Sequence, residues 1–334
     1  MNTEEKKSSS ILEAKAIGHR ALNTLTKSRN KAVVQGVFDH AFYIGDGGDI
    51  LIKVIANKEF ISPTSIVLEK PGGLSFKSVN IKEGMEIILN ENKLGIEENG
   101  FLINLENAST WYPPKLSELY TDLSLEEINL NLRVLQDVIY TCPSREGLIP
   151  LSENLELYGP MEIFLKEQEP TVSGKARPHI ERLMWGLFYG ELETITENAE
   201  SILGLGPGLT PSCDDFLAGL ILSLNTGAQI IDKNETTPIS FFKKASEEIA
   251  RLAKNKTTIY SISFLNEAAL GEGPEAALDL ISGIITKNAD HVANVAKTLI
   301  GMGETSGADI SIGICYGIRF LISRIELREL NETA

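Results

Sequence analysis

Two stretches of the chain carry residues whose types and spacing could do chemistry. Gly206-Pro207-Gly208-Leu209-Thr210-Pro211-Ser212-Cys213-Asp214 and Gly301-Met302-Gly303-Glu304-Thr305-Ser306-Gly307-Ala308-Asp309 share the pattern G-x-G-x-T-x-x-x-D, 95 residues apart. Glycines permit positive φ and close backbone approach. Thr210 or Ser212, and Thr305 or Ser306, can cap the helix that each turn feeds, and Pro211 suits a first helical position. A new helix presents unbonded first-turn amides and the positive end of its dipole, which together can hold an anion. Asp214, Asp215 and Asp309 fall in or near those first turns. They could balance the dipole, coordinate a cation, or accept from ligand N–H groups. The same features also describe how ordinary helices begin. Capping alone, however, does not require a G-x-G before it, and here it occurs twice.

Other motifs are excluded or weaker. No Lys follows the first turn, so it is not a P-loop. Pro211 stands where a dinucleotide fingerprint has its last glycine. The four histidines (His19, His40, His179 and His291) have no metal-binding spacing and read as structural or surface residues. Cys213 sits at a helix start, which would lower its pKa, but no His stands near in sequence to act as its base. Lys256-Thr257-Thr258, with Ser261, opens another helix; it reads as a cap, and Thr257 and Thr258 are also candidate ligand contacts.

The run Gly204–Gly219, together with Lys256-Thr257-Thr258, Ser261 and Gly301–Asp309, closely resembles the AllH-type subunit family of oxamate carbamoyltransferase, first catalogued as a domain of unknown function. The strand-rich start and Trp111-Tyr112-Pro113-Pro114 extend the resemblance to roughly residues 15–325. It implies one of three kinds of subunit in anaerobic allantoin and purine breakdown, where oxalurate and phosphate give oxamate and carbamoyl phosphate. Two positions depart from the family pattern: Cys213 replaces a usual Gly, and Glu304 a usual His, which removes a candidate acid/base near neutral pH.

The elements that must position these residues can be read from periodicity. Ile11, Leu12, Ala14, Ile17, Ala21, Leu22 and Leu25 recur at a helical period, predicting a helix within residues 1–30. Short β-branched runs at 32–38, 50–55, 65–68, 86–89 and 101–105, separated by turn residues, predict an antiparallel sheet or small barrel over 31–115. Ser124-Leu125-Glu126-Glu127 is a capping box that opens a helical linker over 116–150. Residues 151–330 read as an all-α domain with helices near 152–167, 177–189, 190–203, 211–224, 239–255, 258–270, 274–287, 288–300 and 307–324. The fold class is α+β, a β domain followed by a larger helical one. Glycines inside the helices after each motif would let those two helices pack closely and bring both turns together.

Whole-chain properties narrow the function. With 31 Lys plus Arg against 46 Asp plus Glu, the chain of 334 residues carries −15, a poor partner for nucleic acid or an anionic membrane. No apolar run approaches the ~20 residues of a membrane span. No leader is visible, and three dispersed cysteines suit a reducing compartment, so a cytoplasmic location is expected. The expectation is a subunit of a carbamoyltransferase complex that binds a small carboxylate or phosphate ligand and works with partner subunits. Asp214, Asp215 and Asp309 are its candidate catalytic groups. Gly206, Gly208, Thr210, Ser212, Gly301, Gly303, Thr305 and Ser306 line the ligand. No cofactor is called for, although the aspartates could take Mg2+. A non-catalytic binding or scaffold subunit and a metal-assisted hydrolase are the alternatives.

Overall fold

A computed structural model describes residues 11–27, 31–45, 51–69, 75–90, 92–96, 100–119, 121–154, 170–231 and 239–333. The chain divides into two compact units, Met1–Pro113 and Pro114–Ala334.

The first unit is a closed barrel. Its strands are β1 (Ile11–Gly18), β2 (Lys31–Val37), β3 (Ala41–Gly45), β4 (Leu51–Ile55), β5 (Ser65–Leu68), β6 (Glu86–Asn90), β7 (Lys93–Ile96), β8 (Phe101–Asn104) and β9 (Ser109–Trp111). They lie in the order β5-β4-β3-β2-β6-β7-β8-β1-β9, and β1 also pairs with β5, which closes eight of them into a ring. Closure removes the open sheet edges that invite aggregation. Most pairings are antiparallel; β4–β5, β1–β8 and β1–β9 are parallel. Alternation fills the interior, with Phe42 and Ile44 of β3, Leu94 and Ile96 of β7, and Phe101 and Ile103 of β8 all buried in one core. The Phe42 ring meets Phe76 edge-on at 5.0 Å.

The predicted N-terminal helix needs correction. Residues 11–18 are strand β1, and only His19–Lys27 form a helix, α1. The cause is a bulge. Ala14 pairs with Leu68 but Ala16 with Val67, so the inward positions step from Ala14 to Ile17. An extra residue in a strand turns a period of two into a step of three, which imitates a helix in sequence.

The second unit is helical: α2 (Leu125–Tyr140), α3 (Val172–Tyr189), α4 (Leu192–Ile202), α5 (Ser212–Ile231), α6 (Ile239–Ala253), α7 (Ile259–Ala269), α8 (Glu275–Thr286), α9 (Ala289–Ile300) and α10 (Ser306–Thr333). The expected helix near 152–167 falls mostly outside the described residues. The capping box forms: Ser124 Oγ accepts from the Glu127 amide, and the Glu127 carboxylate accepts from the Ser124 amide at 2.8 Å.

Helices α5 and α10 form the centre. Nearly every residue of α5 is buried, the signature of a helix surrounded by others. Their backbones touch. A Cβ on Gly313 would lie 2.1 Å from the Phe216 carbonyl oxygen, and one on Gly219 would lie 2.2 Å from that of Ile310. Around this seam Phe216, Phe242 and Phe320 are fully buried, each worth about 1.5–3 kcal/mol of transfer free energy. The expected close packing of the two glycine-bearing helices is present, and α5 and α10 each start at one of the glycine turns.

Candidate functional site

The first turn is built by left-handed glycines. Gly204, Gly206 and Gly208 have φ of 79°, 128° and 94°. A side chain at Gly206 would also strike the Ser212 amide nitrogen at 2.5 Å. In the second turn only Gly303 needs its glycine for conformation, with φ of 70°. Gly301 has φ of −68°, which any residue adopts, so the pattern overstates its role. Gly307 matters more than the sequence suggested, since a Cβ there would lie 1.9 Å from the Leu299 carbonyl oxygen.

The packing of α5 against α10 brings the turns together. Thr210 Oγ1 and Ser306 Oγ lie 3.0 Å apart across 96 residues of sequence. Beneath them stand three buried carboxylates, Asp214, Asp215 and Asp309, at 1%, 2% and 0% exposure. The two turns themselves are half-buried to exposed at Gly206, Gly208, Thr210, Gly301, Gly303, Thr305 and Ser306.

Each carboxylate has a different environment. Asp214 Oδ1 accepts from the Gly204 amide at 2.8 Å, and Oδ2 accepts from the Thr257 hydroxyl. Asp309 Oδ1 accepts from the Leu148 amide at 2.8 Å. Burial pushes the Asp309 carboxyl up to about 6, against the Leu148 amide and the nearby Ser212 and Thr305 hydroxyls, which favour its ionised form. Burial also raises Asp214, opposed by Gly204, Thr257 and Ser261. Asp215 rises well above the usual carboxylate range through burial, and the Asp309 charge pushes it further up while Ser306 and Thr210 oppose the rise. For all three, burial is opposed by neutral N–H and O–H groups rather than by a cation.

Four buried oxygens at this place make no well-formed hydrogen bond, although the Ser212 hydroxyl lies beside Asp309 and the Ser261 hydroxyl beside Asp214: Ser212 Oγ, Asp215 Oδ2, Ser261 Oγ and Asp309 Oδ2. An unmet buried acceptor costs roughly 1–3 kcal/mol, and more for a charged one. Several of the first-turn helix amides, in contrast, are engaged. The Cys213 amide donates to Leu205 O at 3.1 Å, and those of Asp214 and Asp215 donate to Pro211 O. In α10, Gly307 donates to Met302 O and Asp309 to Thr305 O, both at 2.9 Å. Of the first-turn amides expected to stand open for an anion, these five are engaged within the protein. The donors left for an anion are the turns' remaining backbone and their hydroxyls.

Thr257 and Thr258 tie the start of α7 to the first turn. Thr258 caps α7, accepting from the Ser261 amide, and its hydroxyl donates to Leu209 O. Gly204 packs on the Lys256 carbonyl, where a Cβ would lie 2.5 Å away. Sequence reading missed Gly147 and Leu148, which reach the site from the segment after α2. Gly147 has φ of 62°, and a Cβ on it would lie 2.7 and 2.8 Å from the two Asp309 oxygens and 3.0 Å from Ser212 Oγ. Glu146-Gly147-Leu148 signals a turn in sequence, but nothing there links it to α10.

Cys213 is fully buried, and burial together with the Asp214 and Asp309 charges raises its thiol, opposite to the lowering expected at a helix start. Among the described residues, no group of three or more His, Cys, Asp or Glu side chains is arranged to hold a metal ion. No helix among the described residues is long and apolar enough to cross a membrane.

Residues 202–318, which hold both turns and all three aspartates, match the family described as oxamate carbamoyltransferase subunit AllH. Residues 13–110 match the AllH family N-terminal domain. This chain belongs to the AllH family. The N-terminal match spans the barrel strands from β1 through β8. The AllH match runs from the end of α4 into α10 and leaves out Gly147 and Leu148, so the wall they add to the site lies outside it. The family is named for a subunit, which suggests assembly with other chains. No solved structure matches the chain.

Proposed function

We propose that this chain is a subunit of an oxamate carbamoyltransferase-like enzyme, and that its paired glycine turns hold a small carboxylate or phosphate ligand bearing an amide. The observation that carries this reading is the convergence of the two turns at Thr210 and Ser306 over three buried carboxylates, within the part of the chain that matches the family. In the proposed reaction a phosphate oxygen attacks the carbamoyl carbon of oxalurate. The bond from that carbon to the bridging nitrogen breaks, and the nitrogen takes a proton to leave as oxamate. Carbamoyl phosphate is the other product. Asp309, with its carboxyl raised to about 6, suits proton delivery to the departing nitrogen near neutral pH. Thr210, Ser306 and Thr305 supply hydroxyl donors for the anionic end, with the backbone of Gly206, Gly208 and Gly303 beside them. On this reading the chain serves allantoin and purine catabolism.

The test is thermal unfolding of the purified chain with phosphate, carbamoyl phosphate, oxamate or oxalurate. A ligand at ~100 times its Kd adds about 2.7 kcal/mol, worth several degrees for a protein of this size. Shifts with oxamate or carbamoyl phosphate are expected. A Tm unmoved by all four would remove the turns as a ligand site of the isolated chain. The family's being named for a subunit favours a second reading, a non-catalytic chain that completes a partner's site. Turnover by the purified chain alone would reject it.

A further inference from the structure

The buried end of this site has oxygens to spare, and several of the adjoining helix amides are already used. Asp215 Oδ2, Asp309 Oδ2 and Ser212 Oγ lack partners, on residues at most 2% exposed. Both Asp309 oxygens and Ser212 Oγ come within 3.0 Å of one point beside Gly147. The adjoining helix amides of Cys213, Asp214, Gly307 and Asp309 donate to carbonyls within the protein. Above about pH 6 an anionic group placed here would meet the Asp309 charge in a desolvated setting. A cation would need a ligand cage that the described residues do not form. A neutral group bearing N–H donors satisfies the spare oxygens with no such conflict.

Resting on the reading of the site as a small-anion site, we propose that Asp215 and Asp309, with Ser212, form an amide-recognising floor that admits a primary amide or ureido group and rejects a carboxylate of the same size. Asp214 has a different task. Both its oxygens are engaged, by the Gly204 amide and the Thr257 hydroxyl, so it is a positioning residue that holds the first turn against the start of α7.

Oxamate and oxalate make the test, because they differ only in an amide –NH2 against a carboxylate oxygen. Titration calorimetry on the purified full chain is expected to give oxamate roughly tenfold or more tighter binding, since a site built around a substrate N–H rejects the analogue lacking it. Asp309→Asn can donate as well as accept, so it should weaken oxamate, strengthen oxalate and bring the ratio close to one. Asp214→Asn should weaken both ligands together and leave the ratio in place, which a shared catalytic role for the three acids would not produce. Equal wild-type binding of the two ligands overturns the amide floor but leaves the anion site standing. A ratio unchanged in Asp309→Asn does the same. Failure of both ligands to bind wild type overturns the functional reading and this inference together. The wild-type ratio decides the matter even if Asp309→Asn does not fold.

Discussion

At the scale of single residues, the carboxylates set how stability depends on pH. A carboxyl whose folded pKa stands above its unfolded value binds more protons folded than unfolded between those two values, so stability falls as pH rises through that window. For Asp309 the window runs from 3.8 to about 6. Its contribution is fully present below 3.8 and lost by about pH 6, a difference on the order of 3 kcal/mol. Asp214 and Asp215 act in the same direction. The ligand-free chain should therefore lose thermal stability between pH 4 and 6, and Asp309→Asn should flatten part of that slope. Melting curves across this range, with and without the substitution, check it; identical slopes would mean that Asp309 titrates normally. The three acids were legible in sequence because they follow repeated glycine turns. Their different environments were not, since Leu148 lies 161 residues from Asp309 and Thr257 lies 43 from Asp214. No local pattern encodes contacts at that separation.

At the scale of elements, the helices were largely readable, because capping signals and 3.6-residue periodicity are local properties. The first unit was readable as a sheet or small barrel, but not which strands close it. Short strands such as β7 and β9 carry too few residues to show alternation, and the bulge in β1 disguised a strand as a helix. Closure depends on β1 meeting β5, a non-local pairing. The α5–α10 seam is the element-scale feature on which the site depends, and it makes a contrast testable. Gly313→Ala places a methyl against the Phe216 carbonyl and the Leu220 amide, fixed backbone that cannot rotate away. Overpacking of this kind costs about 1–3 kcal/mol, and Tm should fall by roughly 2–4 °C for each kcal/mol. Gly227→Ala meets mainly the end of Leu321, 3.2 Å away, which can turn aside. The gain in helix propensity, up to about 1 kcal/mol, then leaves it neutral or slightly stabilising. Equal losses in both variants would show that the backbones are not in contact at Gly313. Gly313→Ala should also weaken oxamate binding, because displacing α10 moves Ser306 away from Thr210.

At the scale of the whole molecule, the chain combines a barrel with a helical unit, and every residue assigned to the site belongs to the second. Ligand binding should therefore leave an uneven footprint. Amide hydrogen exchange reports local opening free energies, and a ligand lowers exchange where opening would break its contacts. With oxamate or carbamoyl phosphate near saturation, protection should rise at 204–215, 257–261 and 301–309, and at Gly147–Leu148, where the fold supplies a wall that the two motifs do not contain. Exchange in the barrel strands should stay unchanged, because their core is filled by side chains such as Phe42, Leu94 and Ile103. Protection centred on the barrel would move the ligand site to the first unit and detach the motif repeat from binding. Protection at 204–215 without 301–309 would mean that the turns do not act as a pair, and the Thr210–Ser306 contact would then be packing alone.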